Sequence, residues 1–283
     1  MTDLLPNLIV IGAMKTGTSS LQFYLRQHPE VFMSAEKELN FFVEDRAWGR
    51  GVAWYRSQFR NATVRGEASP NYSAVRRFPG VPARMHSVVP DAKLIYIVRD
   101  PIQRAISHWI HNFSDGTEDA PFEEAVRRWI YVERSLYWRQ LSAFLEFYPP
   151  ERILVFTSDE LRHERIATLE RVFRFLGVDP TYRSPRFHLV RHRSSLRRRS
   201  GRAGRRLAAS RVGRAMTRLP QPFRWQLNHL VYYPLSRPIE RPVMSRRTRQ
   251  WFVEQVRDDV ADLGAYMGRE LSGWLDPSPG GVP

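Results

Sequence analysis

Lys15 stands within Gly12-Ala13-Met14-Lys15-Thr16-Gly17-Thr18-Ser19-Ser20, where small residues and hydroxyls surround a single ammonium. Backbone N–H groups of such a loop can converge on one concavity, and a helix starting just after it adds partial positive charge. The chemistry on offer is capture of an anion, with the hydroxyls of Thr16, Thr18, Ser19 and Ser20 as further donors. A glycine-bearing turn with Ser/Thr caps would use the same residue types. The nucleoside-triphosphate loop G-x-x-x-x-G-K-[ST] puts its lysine after the second glycine. Here Lys15 precedes Gly17, so that loop does not fit.

Arg99 and Ser107 combine a guanidinium fork with a hydroxyl, a pairing suited to a second phosphate. The plainer reading is that Arg99 pairs with Asp100 at a turn. Asp100 is also a strand-end acid of the kind that holds magnesium in nucleotide hydrolases, a reading weakened by its neighbours Arg99 and Pro101. Glu38 lies in Glu36-Lys37-Glu38-Leu39-Asn40-Phe41-Phe42. Taken alone, that string is a solvated charge cluster beside two core-directed rings.

The elements that position these residues are legible. Leu8-Ile9-Val10-Ile11 reads as a buried strand, and Thr18 to Gln27 has helical spacing that His28-Pro29 stops. Lys93–Arg99 is the clearest strand, and Pro101 suits the first position of a helix running through Ser107 to about Asn112. Thr63–Glu67 and Arg152–Phe156 read as strands; Ala83–Val89, Phe122–Trp129, Leu136–Phe147 and Arg246 to about Leu263 read as helices. One long helix is expected from Ser158 to near Gly177. Alternating strands and helices predict an α/β fold in three layers, a central parallel sheet flanked by helices.

A chain of 283 residues, 42% hydrophobic, can bury a large core, and one domain over residues 1–283 is expected. With no cysteine, disulfides, thiolate metal sites and a cysteine nucleophile are excluded. The start of the chain does not resemble a signal peptide, and no apolar run approaches the ~18 residues that cross a bilayer. A cytoplasmic protein is the expectation.

The net charge of +15 is concentrated in one segment at about 180–240. Pro180 to Ile239 holds 15 arginines and no acid, which leaves 29 of the 44 basic residues against 29 acidic ones elsewhere. Apolar residues from Leu207 to Trp225 are interspersed with these arginines. Peripheral contact with the inner membrane surface, nucleic-acid binding and an exposed arm are the competing explanations, with nucleic acid the least favoured. Lys15, Lys37 and Lys93 are the only lysines among 41 arginines, a hint that a compact ammonium is wanted where one survives.

Lys15-Thr16-Gly17-Thr18-Ser19-Ser20-Leu21 resembles the 5′-phosphosulfate loop of sulfotransferases that use 3′-phosphoadenosine-5′-phosphosulfate (PAPS), commonly K-T-G-T-[ST]-x-L or K-G-G-T. Ile97-Val98-Arg99-Asp100-Pro101-x-x-Arg104-Ala105-x-Ser107 resembles their 3′-phosphate motif. The resemblance covers about the first 180 residues and leans toward the heparan and carbohydrate type. It implies a P-loop-like fold, PAPS as cosubstrate, adenosine 3′,5′-bisphosphate as product, no metal, and an acceptor hydroxyl on a carbohydrate, glycolipid or small metabolite. Lys15, Thr16, Gly17, Thr18, Ser19 and Ser20 would hold the 5′-phosphate and sulfate, with Lys15 near the bridging oxygen. Arg99 and Ser107 would hold the 3′-phosphate.

By the same resemblance Glu38, before x-x-Phe-Phe, is the catalytic base. Val64 to Tyr72 resembles the E-K-[ST]-x-x-Y segment of the heparan enzymes, which makes Glu67 and Tyr72 substrate-lining residues, although Ala68 replaces the lysine. His111 occupies a position where some N-sulfating relatives carry histidine. A basic loop late in the chain implies Arg193, Arg197 and Arg198 as nucleotide contacts. The alternatives are a P-loop-like kinase or NTPase, and a basic nucleic-acid- or membrane-binding protein without catalysis.

Overall fold

The computed structural model describes residues 4–189, 197–201, 210 and 234–276. Strand β1 (Leu8–Gly12) is buried along its whole length. Its side chains alternate between two apolar clusters, Ile9 and Ile11 on one face and Leu8 and Val10 on the other. Helix α1 (Thr18–Leu25) leads to β2 (Val31–Met33) at the sheet edge. Helix α2 (Gly51–Arg56) leads back to β3 (Val64–Ala68), which pairs with β1.

Helix α3 (Val81–Val88) carries the chain across to β4 (Lys93–Val98) on the other side of β1. Then come α4 (Pro101–Asp115), α5 (Phe122–Ala125), α6 (Trp129–Glu133), α7 (Tyr137–Leu145) and the outer strand β5 (Ile153–Thr157). The order is β2-β3-β1-β4-β5, all parallel. Crossovers leave β1 in one direction and reach β4 in the other, and such a reversal opens a crevice beyond the carboxyl ends of the strands.

Helices α8 (Ser158–His163) and α9 (Arg165–Leu176) follow β5. Leu169, Val172, Phe173 and Leu176 of α9 join Leu21, Tyr24 and Leu25 of α1 on one face of the sheet. The other face meets Val81 and Met85 of α3, Leu141 and Phe144 of α7, and the pair Phe41 and Phe42. An antiparallel ribbon of β6 (Arg198–Ser200) and β7 (Ser236–Pro238) precedes α10 (Arg246–Met267). Phe252, Val256 and Val260 of α10 pack against Ile102, Ile106 and Ile110 of α4. Each fully buried Leu, Ile or Phe in these layers is worth about 1.5–3 kcal/mol.

The predicted α/β fold is the observed one, with three local differences. The three-residue β2 shows no periodicity of its own and exists through its pairing with β3, Val31 opposite Val64. The expected helix over Phe122–Trp129 divides at Arg128, whose backbone is extended and whose Nη1 donates to both oxygens of buried Glu118 at 2.9 Å. The expected helix from Ser158 divides at Glu164, where φ −115° and ψ 37° leave the helical region.

Candidate functional site

The crevice forms where β1, β3 and β4 end side by side. A Cβ on Gly12 would stand 2.3 Å from Ser73 Oγ and 3.0 Å from the Tyr96 ring, so only glycine allows this strand end its close packing. Ala13 N–H then donates to the carbonyl of Ile97 at 2.8 Å, tying the outgoing loop to β4. Gly17, at φ 110°, turns the chain into α1, whose first N–H groups lie beside the cleft-lining residues 14–20. The hydroxyl of Thr16 is spent internally, donating to the carbonyl of Ala13 at 2.7 Å. Thr16 lines the cleft with that proton turned to the loop's own backbone.

Lys15 adopts a left-handed backbone, φ 73°, which costs a residue with a Cβ roughly 1 kcal/mol or more. Burial pushes its ammonium down to about 8, helped by the positive charges of Arg197, Lys37 and Arg99 and opposed by Asp115. An ammonium held in that state gains strongly from an incoming anion.

Arg99, just beyond β4, lines the same cleft and donates from Nη1 to the carbonyl of Lys15 at 3.3 Å. Burial lowers the guanidinium's hold on its proton; Tyr137, Asp159 and Asp100 act against that, and Arg162 with it. Asp100 caps α4, its Oδ1 accepting from the N–H groups of Ile102 at 2.8 Å and Gln103 at 3.0 Å. That capping role accounts for the acid considered above as a magnesium ligand. Ser107, about two turns further along α4, is buried and lines the cleft.

Glu38 reaches the cleft because its loop is fastened to the end of β3. Its N–H donates to the carbonyl of Ala68 at 3.1 Å, and its own carbonyl accepts from Asn40 Nδ2 at 2.6 Å. Phe41, stacked on Tyr55 with centroids 4.1 Å apart, and Phe42 anchor the loop in the core. The carboxylate is half-exposed, with Oε1 accepting from Lys37 Nζ at 2.6 Å. Glu38 shares the left-handed backbone, φ 62°.

Glu67 and Tyr72 do not line the cleft. Both are fully buried, with the hydroxyls of Tyr55 and Tyr72 donating to Glu67 Oε1 at 2.8 and 2.6 Å and Ser69 donating to Oε2 at 2.6 Å. Burial pushes this carboxyl up, against the pull of its three hydroxyl donors. Ser69 Oγ in turn accepts from the N–H of Asn40 at 3.1 Å. The expected substrate contacts are instead the foundation of the Glu38 loop.

His111 does line the cleft, its Nδ1 3.3 Å from Asp115 Oδ2, and burial, Lys15 and Arg197 disfavour its charged form. His108 lines it too. Arg104, fully buried, donates to Ser135 Oγ at 2.7 Å and Tyr131 O at 2.5 Å, and stands 3.3 Å from His108 Nδ1. A guanidinium can only donate there, so His108 Nε2 carries the ring hydrogen.

Of the late arginines, Arg197 lines the cleft and bonds Ser114 Oγ at 2.7 Å and Asp115 Oδ1 at 2.9 Å. Arg198 is absent from the cleft wall: it is turned into the ribbon, bonded to Ser236 Oγ and O at 2.8 and 2.6 Å. Arg193 lies outside the described residues, as does most of the arginine-rich segment, including its apolar residues from Leu207 to Trp225, a stretch in which Ser210 alone is described. Sequence reasoning missed Arg241, which lines the cleft, bonds Gln103 and is close enough for Arg99 and Arg162 to depress it, after burial. It missed Asn40 and Asn71 as well. Of the three lysines, Lys15 and Lys37 both line the cleft. Among the described residues no helix is long and apolar enough to cross a membrane.

The crevice of this parallel sheet brings Lys15, Arg99 and Glu38 to one cleft in an α/β protein, a set of groups suited to an anionic ligand. The chain belongs to the sulfotransferase domain family, which matches residues 5–208. It is 34% identical over 188 residues to heparan sulfate glucosamine 3-O-sulfotransferase 3B1 of Mus musculus, covering 62% of this chain and 46% of the relative. With heparan sulfate glucosamine 3-O-sulfotransferase 6 of Homo sapiens it shares 29% identity over 246 residues, 82% of this chain and 70% of the relative. The chain thus spans about half the length of the first of these. A sulfotransferase structure from Alicyclobacillus acidocaldarius superposes with a TM-score of 0.69 at 24% identity, covering 96% of this chain and 99% of the other, which supports the fold. These matches disfavour the kinase and the non-catalytic readings.

Proposed function

We propose that the protein transfers a sulfuryl group from PAPS to a hydroxyl of a carbohydrate acceptor, releasing adenosine 3′,5′-bisphosphate. The observation that carries this reading is the meeting of Lys15 and Arg99 at neighbouring strand ends, bonded to each other at 3.3 Å. Two cationic sites that touch in this way suit one small ligand with anionic groups at two positions. The residues present fit that ligand: a desolvated ammonium on the loop, and a desolvated guanidinium beyond β4 with Ser107 on the helix that follows.

In the proposed reaction the acceptor oxygen forms a bond to sulfur as the bond between sulfur and the bridging phosphate oxygen breaks. Glu38 Oε2, with Oε1 already engaged by Lys37, takes the acceptor proton. Lys15 donates a hydrogen bond to the oxygen that gains charge. His111 and Arg197 flank Lys15 along the same wall. Transfer of labelled sulfate from PAPS to a panel of saccharides tests the reading. Incorporation that falls by about 100-fold or more in Glu38→Gln supports it, and no incorporation into any saccharide counts against it.

A further inference from the structure

His108 is a buried ring in the cleft wall to which the proposed reaction gives no role. It is 2% exposed, yet it lines the cleft. Its Nδ1 stands 3.3 Å from Nη1 of Arg104. Among the described residues no acceptor meets its Nε2, and that nitrogen keeps a small opening onto the cleft.

The ring is held in one orientation and one tautomer. Arg104, fully buried, is fixed by Ser135 Oγ at 2.7 Å and by the carbonyl of Tyr131 at 2.5 Å, which aims Nη1 at the imidazole. Burial brings this guanidinium down to about 10, so at neutral pH it keeps its charge and can only donate. Nδ1 is therefore the acceptor and Nε2 the donor. The Tyr131 ring lies 4.8 Å from the imidazole, and its hydroxyl donates to Glu118 Oε2 at 3.2 Å, so packing fixes the imidazole plane as well.

The ring is also kept neutral. Burial disfavours its charged form, and Arg104, Arg134, Lys15 and His111 all act in the same direction. These groups face it from α4, from α6 and from the Lys15 loop, and the Tyr131 phenol faces it from α6. Among the described residues no carboxylate stands in ion-pair range of His108 to offset them. An ordinary histidine, with a pKa of about 6.5, could take the acceptor's proton in competition with Glu38. His108 cannot take it, because Nδ1 is occupied by Arg104 and Nε2 already bears a hydrogen.

Its surroundings tie it to the group in transit. Lys15 acts on His108 directly, and His111, three residues on along α4, is acted on by both Lys15 and Glu38. The Nε2–H thus opens on the stretch of cleft shared by the loop lysine and the carboxylate. In the proposed reaction Lys15 serves the leaving oxygen and Glu38 the acceptor hydroxyl. The non-bridging sulfuryl oxygens, which must stay aligned while sulfur passes from one oxygen to the other, have no donor assigned.

Building on the sulfotransferase reading, we infer that His108 is a fixed neutral donor whose Nε2–H holds a non-bridging sulfuryl oxygen, keeping sulfur in line between the acceptor oxygen and the leaving phosphate oxygen. No bond to His108 forms or breaks. Its hydrogen stays on Nε2 throughout, and the acceptor proton goes to Glu38. Arg104 acts through the ring as a positioning residue.

The test compares His108→Phe, which keeps an aromatic ring without an N–H, with His108→Gln, whose carbonyl can accept from Arg104 while its amide N–H replaces the donor. Transfer of labelled sulfate from PAPS is measured on whichever saccharide of the panel the parent chain sulfates fastest. His108→Phe should lower kcat by about 100-fold, with acceptor KM and bisphosphate Kd within about twofold, and His108→Gln should stay within about tenfold of the parent. From about pH 6 to 8 the kcat profiles of the parent and His108→Gln should run parallel. A parent-like kcat in His108→Phe, an equal loss in both variants, a loss confined to KM, or an acid limb that His108→Gln removes overturns the proposal.

A second readout depends neither on turnover nor on how well His108→Phe folds. In NMR spectra of the histidine ring nitrogens of the full chain, with His108 assigned by its loss in His108→Gln, the hydrogen should sit on Nε2 and not on Nδ1 over the same pH range. The opposite tautomer, or a charged ring, overturns the proposal too. A parent chain that sulfates no saccharide overturns the sulfotransferase reading, and the role of His108 with it.

Discussion

Arg99 donates to the carbonyl of Lys15 across the gap between β4 and the loop after β1. In the proposed function one guanidinium therefore serves its own anion site and also steadies the backbone of the other. The left-handed turn at Lys15, φ 73°, is held partly by this bond, so the two sites are expected to act as a unit.

That coupling is measurable. Lys15→Ala and Arg99→Ala should each weaken adenosine 3′,5′-bisphosphate binding by about 10- to 100-fold, as loss of a charge-assisted contact does. Their effects should fail to add, with an interaction energy of about 0.5 kcal/mol or more in a double-mutant cycle. Strict additivity would mean that the bond between the sites carries no energy.

Lys15 gives a pH dependence whose sign follows from its environment. Its pKa in the unliganded fold is about 8 against an ordinary 10.5, so burial penalises the folded state in full below about 8. The penalty lifts as pH rises from there toward 10.5, because in that window the unfolded chain binds more protons. Lys15→Met should accordingly stabilise the unliganded protein at neutral pH, by about 1–3 kcal/mol, while abolishing bisphosphate binding. Thermal melts with and without ligand check both parts. In the parent chain, binding near pH 8 should take up a proton, seen as a dependence of the calorimetric enthalpy on the buffer's ionisation heat.

Glu67 should behave as a positioning residue for Glu38. Glu67→Ala strands the hydroxyls of Tyr55, Tyr72 and Ser69 in the core and should cost about 2–4 kcal/mol in urea unfolding. Ser69→Ala, a milder cut of the same network, frees Asn40 and the Glu38 loop. It should lower kcat by about tenfold with the bisphosphate Kd unchanged. A purely structural role would instead reduce the amount of folded protein without altering the kcat of what remains.

The contrast between Lys15 and Arg241 shows what the sequence could and could not reveal. Lys15 and Arg99 sit within three residues of the ends of β1 and β4, where local spacing decides placement; Ser107, on the helix after β4, and Glu38 were legible through the family resemblance, and the parallel sheet follows from the alternation of elements. Asn71 meets Asn40 across 31 residues and Arg134 across 63, and no local pattern signals such contacts. Arg241 reaches Gln103 across 138. The resemblance assigns Glu67 and Tyr72 to the cleft, but a short motif does not say which way a side chain faces. Glu67, within β3, and Tyr72, four residues beyond its end, both face the core, and their polarity is absorbed by each other. The break at Glu164 was hidden for a related reason: residues on both sides of it have good helical spacing.

The most direct test of the account is calorimetric titration of the full chain with adenosine 3′,5′-bisphosphate and, separately, with ATP and magnesium. The account predicts that the bisphosphate binds at least about tenfold tighter than ATP, and that Lys15→Ala combined with Arg99→Ala removes the difference. Tighter binding of magnesium-ATP, or bisphosphate binding that is absent or indifferent to both substitutions, would contradict it.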